Sequence, residues 1–368
     1  MILFIFFIAI VFVGMLFIDI LPYFSHHKKA RYMDYRPKAL VIVPCRGVDA
    51  SLLGNLKSIS SQKYGNYKVV CVVDDGSDTS IPYIKAAGIS FIISNFNVSG
   101  SRQSGKVNAI LAALGKYKEF EVYVIADSDI TVSKRWLANL VAPLQDKKIG
   151  LSTMFPKFIP KSGLWSKVKF VWGLVGEGMM ENKITRFGWG GSMAFRKNLI
   201  DIKAMNMLTG SKYSVSDDIC LTKITKSKGL SIEYVSEAQP VVYSYDSFSK
   251  FIEWSNRQTA LSLLGYRRNL YYGAMFYSAE IVLIIFGVVL SATVSPIYLI
   301  LLLHLVKSEI KTYMRVKRFD PSIALITISI PFIYISNLIM AQNAEYISWR
   351  GRRYYITDIN LQRQKVKR

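Results

Sequence analysis

The sequence predicts an α/β domain with a mostly parallel sheet, joined to long apolar segments toward both ends of the chain. Between residues 39 and 272, short apolar runs alternate with helical patterns, and outside this block long stretches carry almost no charge. Short buried strands separated by helices are typical of parallel sheets that helices cover on both faces. Uncharged stretches of about 20 residues are typical of membrane-spanning helices.

The charge distribution supports a membrane protein. The chain has 368 residues, a net charge of +22 and a mean hydropathy of +0.25. Because 51% of the residues are hydrophobic, an intrinsically disordered chain is excluded. Most of the excess positive charge lies in residues 25–38, 307–318 and 350–368, each just beyond an apolar run. Basic residues in this position flank membrane segments, which argues against nucleic acid as a partner.

Residues 1–24 are predicted to be an N-terminal transmembrane anchor. They carry one charged side chain, Asp19, and are long enough to cross a bilayer. A secretory signal peptide would have a basic start and a small-residue cleavage site, and neither is visible. The basic juxtamembrane segment, residues 25–38, follows this anchor.

Residues 273–345 are predicted to hold two or three further transmembrane helices. A Ser-Pro pair interrupts residues 273–306, which suits two short spans, and a proline lies near the middle of residues 321–344, which suits one span or a kinked hairpin. Basic residues favour the cytoplasm, so we expect the central block and a basic tail, residues 346–368, on that side. A single span between the last two basic stretches would separate them, and the sequence leaves this open.

The central block, residues 39–272, opens with alternating strands and helices. Strands are predicted at residues 39–44, 68–73, 89–93 and 122–126, and helices at residues 50–61 and 104–116. Ligands of such sheets bind at the carboxyl ends of the strands, and acidic clusters follow the second and fourth strands. Residues 164–176 mix aromatic residues with lysines, and suit either an amphipathic helix at the membrane interface or a core helix.

Two acidic clusters follow strands. Asp74, Asp75 and Asp78 can hydrogen-bond the ring edge or hydroxyls of a nucleoside, although a solvated turn has the same composition. Asp127 and Asp129, two positions apart, can converge on one Mg²⁺ or Mn²⁺ and so neutralise a diphosphate. An Asp-x-Asp also occurs by chance in many proteins.

A third acidic pair and two cations complete the set. Asp217 and Asp218 open a helical run, either as a helix cap or with one of them as a general base. The chain has three histidines, all of them outside the central block, so a carboxylate is the natural base. Lys106 lies at a predicted helix start that suits a phosphate, and Arg257 can bind a diphosphate in bidentate fashion. Each cation by itself also suits a plain surface position.

In their order along the chain, these motifs resemble an inverting family-2-type glycosyltransferase with a GT-A (Rossmann-like) domain over roughly residues 38–272. The chain is most similar to the ceramide glucosyltransferase-like branch, which also has one N-terminal and several C-terminal membrane segments. This narrower resemblance rests on Arg46-Gly47-Val48-Asp49-Ala50-Ser51-Leu52 with Asn55-Leu56, on Lys106-Val107-Asn108, and on Trp349-Arg350-Gly351-Arg352-Arg353-Tyr354.

The resemblance implies a role for each motif. Asp75, with Asp74 or Asp78, would contact the uracil or ribose, and Asp127 and Asp129 would hold the metal, Asp129 being the main ligand. Asp218 would be the catalytic base, with Asp217 where relatives often carry Glu, and Arg257 would be the Arg of a Gln-x-x-Arg-Trp motif. The other implied donor-site residues are Pro44, Lys106, Asn108, Gly190, Gly191 and Ser192. Trp254 and Gln258 depart from that last motif, which leaves the acceptor open.

The expected reaction follows from these roles. A hexose moves from a nucleotide sugar, UDP-glucose or similar, to a lipid hydroxyl at the cytoplasmic face, with Mg²⁺ or Mn²⁺ as cofactor and inversion at the anomeric carbon. The partners are then the donor, a lipid acceptor and the membrane, and the product is a glycolipid. A transferase onto polyprenyl phosphate and a processive polysaccharide synthase are the enzymatic alternatives, and a non-catalytic membrane scaffold is the third.

Overall fold

The computed structural model describes residues 34–97, 103–317 and 320–356. The predicted anchor, residues 1–24, lies outside the described residues. The chain divides into two compact units. Of the described residues, the sheet unit comprises residues 34–159, Lys183–Tyr243 and residues 345–356, and the helical unit comprises Pro160–Asn182 and Ser244–Ala344.

The strands have the following bounds. In chain order they are β1 (Ala39–Pro44), β2 (Tyr67–Val73), β3 (Ser90–Ile93), β4 (Val122–Ala126), β5 (Ile130–Thr131), β6 (Ile149–Thr153), β7 (Lys157–Pro160), β8 (Ser192–Arg196), β9 (Ser231–Tyr234), β10 (Val241–Ser244), β11 (Tyr346–Trp349) and β12 (Arg352–Tyr355). The four strands predicted from the sequence are confirmed as β1 to β4.

The helices have the following bounds. In chain order they are α1 (Leu52–Ser60), α2 (Ile81–Ala86), α3 (Gly105–Lys116), α4 (Trp136–Val141), α5 (Gly163–Glu181), α6 (Ile202–Gly210), α7 (Asp217–Ser227), α8 (Phe248–Gly265), α9 (Arg268–Thr293), α10 (Leu303–Val316) and α11 (Pro321–Gln342). The predicted helices at residues 50–61 and 104–116 are confirmed as α1 and α3.

A seven-stranded sheet with the order β3-β2-β1-β4-β8-β6-β9 forms the centre of the sheet unit. The pairs β1–β2, β1–β4, β2–β3 and β6–β9 are parallel, whereas β8 runs antiparallel to β4 and β6. The sheet is therefore mostly parallel, as predicted. Residues 39 to 43 of β1 have no exposed surface, because helices cover both faces of this central strand.

The strand register brings the acidic clusters to one edge of the sheet. Pro44, at the end of β1, lies opposite Val72 of β2, and Ile42 of β1 lies opposite Ile125 of β4. Since β1, β2 and β4 run in the same direction, the loops that follow them leave the sheet at the same edge. Asp74 follows β2 and Asp127 follows β4, so both are placed there.

Polar caps fix the two helices that border this edge. The Ser104 side chain accepts a hydrogen bond from the Val107 N–H at the start of α3 (3.2 Å), and the Ser216 hydroxyl accepts one from the Ile219 N–H at the start of α7 (3.4 Å). Serine is a preferred N-cap because its oxygen satisfies a donor that the first helical turn leaves unpaired. The caps therefore fix the starts of α3 and α7, where Lys106 and Asp217 lie.

The remaining strands form two smaller sheets. The order β5-β10-β7 makes a three-stranded sheet, and β11 pairs with β12 in an antiparallel hairpin. Arg350 and Gly351 form the turn of this hairpin with φ of +50° and +73°. Positive φ at both turn residues matches the twist of a two-residue hairpin loop, which explains the glycine.

Among the described residues, two helices of the helical unit are long and apolar enough to cross a membrane. They are α9 and α11, with mean hydropathies of 2.1 and 2.0. Residues 273–306 contain a single long helix, α9, followed by a short 3₁₀ turn (Pro296–Leu302) and the start of α10, rather than two equal spans. The helix α11 is continuous through Pro331, so it forms no hairpin.

The predicted amphipathic segment, residues 164–176, lies within α5. The Trp172 ring stacks on the Tyr334 ring, with centroids 4.9 Å apart, and its Nε1–H donates to Asn337 Oδ1 (3.1 Å). Lys169 forms an ion pair with Asp246 (3.2 Å). Because Trp172 is buried against α11, these contacts favour the core-helix interpretation of this segment.

Candidate active site

The three carboxylates of the first acidic cluster, Asp74, Asp75 and Asp78, have different surroundings. Asp74 is 7% exposed and forms ion pairs with Arg46 (3.1 Å) and Arg352 (2.5 Å). Asp75 is exposed and accepts hydrogen bonds from the N–H and hydroxyl of Ser77, which lower the pKa of its carboxyl. Of the three, Asp75 is therefore the carboxylate that a ligand reaches first.

Asp78 holds the loops together. Its carboxylate accepts hydrogen bonds from the Gly47 N–H (3.1 Å) and from the N–H and hydroxyl of Ser80 (2.8 and 2.6 Å). Gly47 has a φ of +68°, a conformation that favours glycine. Asp78 thus ties the loop after β1 to the loop after β2.

A buried lysine joins the second and third acidic motifs. The ammonium of Lys106, at the start of α3, lies 2.7 Å from Asp127 Oδ1 and 3.3 Å from Asp217 Oδ2. The Lys106 side chain is 7% exposed. Burial alone lowers the pKa of this lysine, but the charges of Asp127 and Asp217 outweigh it and the net pKa is raised. Lys106 is therefore a permanent cation between the two carboxylates.

The glycine-rich loop packs directly on this ion cluster. A Cβ atom on Gly190 would lie 2.8 Å from both the Lys106 Nζ and the Asp217 Oδ2, so any larger residue would displace one of them. The Gly191 carbonyl accepts a hydrogen bond from the Asp127 N–H (3.1 Å). The Ser192 hydroxyl accepts one from Trp136 Nε1–H (2.9 Å) and is fully buried. Residues 190–192 therefore position the Asp-x-Asp loop.

The two carboxylates at the start of α7 have different surroundings. Asp217 is 4% exposed, and its burial raises the pKa of the carboxyl to about 6, although Lys106 opposes this shift. Its buried Oδ2 faces the Lys106 ammonium at 3.3 Å. Asp218 is half-buried and accepts hydrogen bonds from the Ser216 hydroxyl and the Ile219 N–H (2.7 Å). Burial raises its pKa as well.

Asp129 completes the Asp-x-Asp motif. It is half-buried, and its charge, like that of Asp127, contributes to raising the pKa of Arg350, after the larger effect of the hydrogen bond to Asp49. Within the described part of the chain, no group of three or more His, Cys, Asp or Glu side chains is placed to hold a metal ion. Within the described residues, the motif therefore offers two carboxylate ligands to a metal ion.

The remaining predicted residues divide between the two units. Pro44 ends β1, and Asn108, in the first turn of α3, donates from its side-chain amide to the Ser94 carbonyl (3.4 Å). Arg257 lies on α8 in the helical unit, whereas the other predicted site residues lie in the sheet unit. Trp254, three residues earlier, is half-buried and packs edge-on against Trp172 at 4.8 Å within the helical unit.

Two arginines of the C-terminal hairpin, Arg350 and Arg352, contact the candidate site, and the charge pattern of the sequence did not identify them. Arg350 forms a bidentate ion pair with Asp49 (2.8 and 2.6 Å), and Arg352 pairs with Asp74. The sequence counts both in the basic tail, residues 346–368, and the structure places them in the sheet unit, in a hairpin. The available signal for a hairpin was a glycine-containing pair, Arg350-Gly351, between two short runs that each contain aromatic residues.

The fold is that of a GT-A domain, and the sequence adds the class of enzyme. The sequence profile described as Glycosyl transferase family 21 matches residues 4–360, and the chain belongs to this family. The predicted relation to the ceramide glucosyltransferase-like family is thereby confirmed. No curated protein matches the sequence significantly.

Among the solved structures that are similar to this chain are two sugar-nucleotide-dependent enzymes in complex with their ligands. The mannosyltransferase PcManGT from Pyrobaculum calidifontis, in complex with GDP-Man and Mn²⁺, has a TM-score of 0.52 and 16% identity, and the match covers 91% of this chain and 98% of that one. Glucosyl-3-phosphoglycerate synthase from Mycobacterium tuberculosis, in complex with Mn²⁺, UDP and phosphoglyceric acid, has a TM-score of 0.42 and 17% identity, covering 62% and 78%. The first likeness supports the fold.

Replacing Lys106 with Met is expected to destabilise the protein by about 3–5 kcal/mol at pH 8, because it leaves Asp217 buried without its cation. A carboxyl whose pKa is higher in the folded protein than in the unfolded chain stabilises the fold at low pH, and most strongly below its pKa in the unfolded chain. This contribution is lost as the pH rises through the pKa of the folded protein. The pKa of Asp217 is already about 6 and rises further without Lys106, so a proton neutralises the carboxyl at pH 5. The destabilisation should therefore be smaller at pH 5 than at pH 8.

The measurement is the midpoint of thermal unfolding of the full chain in detergent at both pH values. Lys116→Met, at the exposed end of the same helix, is the matched control and should resemble the wild type throughout. An equal loss of stability for Lys106→Met at pH 5 and pH 8 would contradict the assigned role of Asp217.

Proposed function

We propose that this glycosyltransferase is an inverting enzyme that transfers a hexose from a nucleotide sugar, UDP-glucose or similar, to a lipid hydroxyl. One observation carries the proposal: Lys106 joins Asp127 of the Asp-x-Asp motif to Asp217 beside the candidate base, within one buried cluster. A donor-binding motif and an acid–base motif in direct connection are what a transfer reaction requires.

The nucleoside end of the donor would bind at the end of β2. Asp75 is exposed there and its pKa is lowered, so it is ionised and available to accept hydrogen bonds from a uracil or ribose. Asp74 is paired to arginines and Asp78 to backbone amides, so these two support the loop. Pro44 and Asn108 border the same edge of the sheet.

The donor set of Asp127 and Asp129 fits Mg²⁺ or Mn²⁺. Carboxylate oxygens are the ligands that such hard cations prefer, and Mg²⁺ commonly binds through one or two carboxylates plus substrate phosphates. The absence of a third acidic or imidazole ligand in the described residues suits an ion that a diphosphate helps to hold. When bound, the ion would neutralise charge on the leaving diphosphate.

Asp218 would act as the general base. Asp217 points into the cluster and pairs with Lys106, whereas Asp218 is half-buried and its Oδ1 accepts two hydrogen bonds, which fixes the orientation of the carboxylate. Burial raises its pKa, which makes it a better acceptor for the proton of an attacking hydroxyl. A single displacement from the face opposite the leaving group inverts the anomeric carbon. Arg257 and Lys106 are the cations proposed to stabilise the leaving diphosphate.

The acceptor is proposed to be a membrane lipid. The helices α9 and α11 are long and apolar enough to cross a bilayer, and basic stretches adjoin the apolar runs. The positive-inside rule then favours a catalytic unit at the cytoplasmic face, where nucleotide sugars are made. The helical unit would hold the lipid, and a glycolipid would be the product.

The direct test incubates membranes that contain the full chain with labelled UDP-glucose, UDP-galactose or UDP-GlcNAc and identifies the labelled lipid. A labelled lipid that resists mild acid supports transfer to a lipid hydroxyl. A mild-acid-labile product would identify a polyprenyl phosphate acceptor, a long polymer would identify a processive synthase, and no turnover with any donor would favour the scaffold.

Asp218→Asn should reduce transfer about 100- to 10,000-fold, because it removes the base, while the affinity for UDP stays close to that of the wild type. Turnover in the membrane assay and UDP binding in detergent are the two measurements. Asp201→Asn removes the charge of another carboxylate at a helix N-terminus, the start of α6, together with its ion pair to Lys228, and is the control for loss of such a carboxylate. Turnover of Asp218→Asn at the wild-type level would overturn the base assignment.

Asp129→Ala should abolish the contribution of the metal to donor binding, because it removes one of the two carboxylate ligands. Its affinity for UDP with Mn²⁺ is expected to fall to the value that the wild type shows without metal. Asp146→Ala removes an exposed carboxylate elsewhere in the sheet unit and should leave the Mn²⁺ effect intact. An unchanged Mn²⁺-dependent affinity in Asp129→Ala would contradict the metal role.

A further inference from the structure

The C-terminal hairpin, formed by β11 and β12, is docked on the candidate donor site. Three contacts hold it there. Arg350 in its turn pairs with Asp49, Arg352 at the start of β12 pairs with Asp74, and the Tyr354 hydroxyl accepts a hydrogen bond from the Gly105 N–H at the start of α3 (3.3 Å). The hairpin therefore contacts the loops after β1 and β2 and the helix that carries Lys106.

Arg352 shares its carboxylate with a second arginine. Asp74 accepts hydrogen bonds from Arg46 (3.1 Å) and from Arg352 (2.5 Å), and its side chain is 9% exposed. A buried carboxylate that loses its only cation is destabilised strongly, but Asp74 keeps Arg46 if Arg352 turns away. The guanidinium of Arg352 can therefore exchange Asp74 for another anion at little cost.

The position of Arg352 indicates which anion that is. A Cβ atom on Gly105 would lie 2.9 Å from the Arg352 Nη1, so the guanidinium packs on the first residue of α3, next to Lys106. After the hydrogen bonds from Ser77, the charges of Arg352 and Arg46 contribute to lowering the pKa of Asp75, so Arg352 lies near that carboxylate. Lys106, the next residue of α3, pairs with Asp127. A nucleoside diphosphate that extends from Asp75 to Asp127 would pass beside Arg352. The ring of Phe96, 5.0 Å from the guanidinium carbon, supports the side chain there.

We propose that Arg352 is a donor-binding residue, which leaves Asp74 and forms charge-assisted hydrogen bonds with the diphosphate of the nucleotide sugar. The guanidinium presents planar donors that match phosphate oxygens. The bidentate pair between Arg350 and Asp49 anchors the hairpin while Arg352 changes partner. This inference rests on the proposed function, since it requires a nucleoside diphosphate in the site.

The test compares a ligand that has the diphosphate with one that lacks it. UDP and uridine are titrated, with Mn²⁺ present, into the full chain in detergent, and GDP and guanosine are titrated in parallel so that base preference does not decide the result. Arg352→Gln should weaken binding of the diphosphate about tenfold or more and leave nucleoside binding within about twofold of the wild type. Arg352→Lys keeps the charge, so its affinity for UDP should lie between those of the wild type and of Arg352→Gln.

Arg353→Gln is the matched control. Arg353 is the next residue of β12, is exposed, and packs over the Tyr346 ring at 4.8 Å, so the variant loses the same charge from the same strand. It should bind UDP like the wild type. UDP affinity of Arg352→Gln within twofold of the wild type, or equal losses for UDP and uridine, would overturn the proposal. A wild type that binds neither UDP nor GDP would instead show that the proposed function is wrong.

Discussion

The buried ion cluster of Lys106, Asp127 and Asp217 is the interaction on which the site depends. It joins the end of β4, the start of α3 and the start of α7, three elements that are far apart in the sequence. Buried ion pairs commonly stabilise a fold little, because desolvation offsets the attraction between the charges. The cluster is therefore better explained by orientation: it holds two carboxylate motifs at a defined distance around one cation.

The neighbouring loop shows how closely the surroundings fit this cluster. Gly190 leaves no room for a Cβ atom beside Lys106 and Asp217, and the Gly191 carbonyl holds the backbone of Asp127. With Asp217 turned toward Lys106, the adjacent Asp218 is the carboxylate at the start of α7 that remains half-exposed. The same short segment thus provides a positioning residue and a candidate base, because consecutive residues at a helix start point in different directions.

Much of the sheet unit was predictable because its strands are continuous apolar runs and their ends carry the acidic motifs. The parallel order of β1, β2 and β4 then placed Asp74 and Asp127 at one edge without further information. The antiparallel insertion of β8 between β4 and β6 was not predictable, since antiparallel pairing of buried strands leaves the same apolar pattern. The ion partners of Lys106 depend on the approach of α7, which local sequence does not encode.

The C-terminal arginines show why charge alone misleads. Beside an apolar run, a basic residue that flanks a membrane and one that pairs with a distant carboxylate have the same local sequence. Arg350 and Arg352 differ from a membrane-flanking pair because the intervening glycine forms a tight turn, and a hairpin gives both side chains fixed positions. Fixed guanidinium groups lose less entropy on binding a phosphate than mobile ones, so the hairpin favours anion recognition. In the proposed function, carboxylates provide the base and the metal ligands, and the cations proposed to balance the diphosphate come from α3, from α8 and from this hairpin.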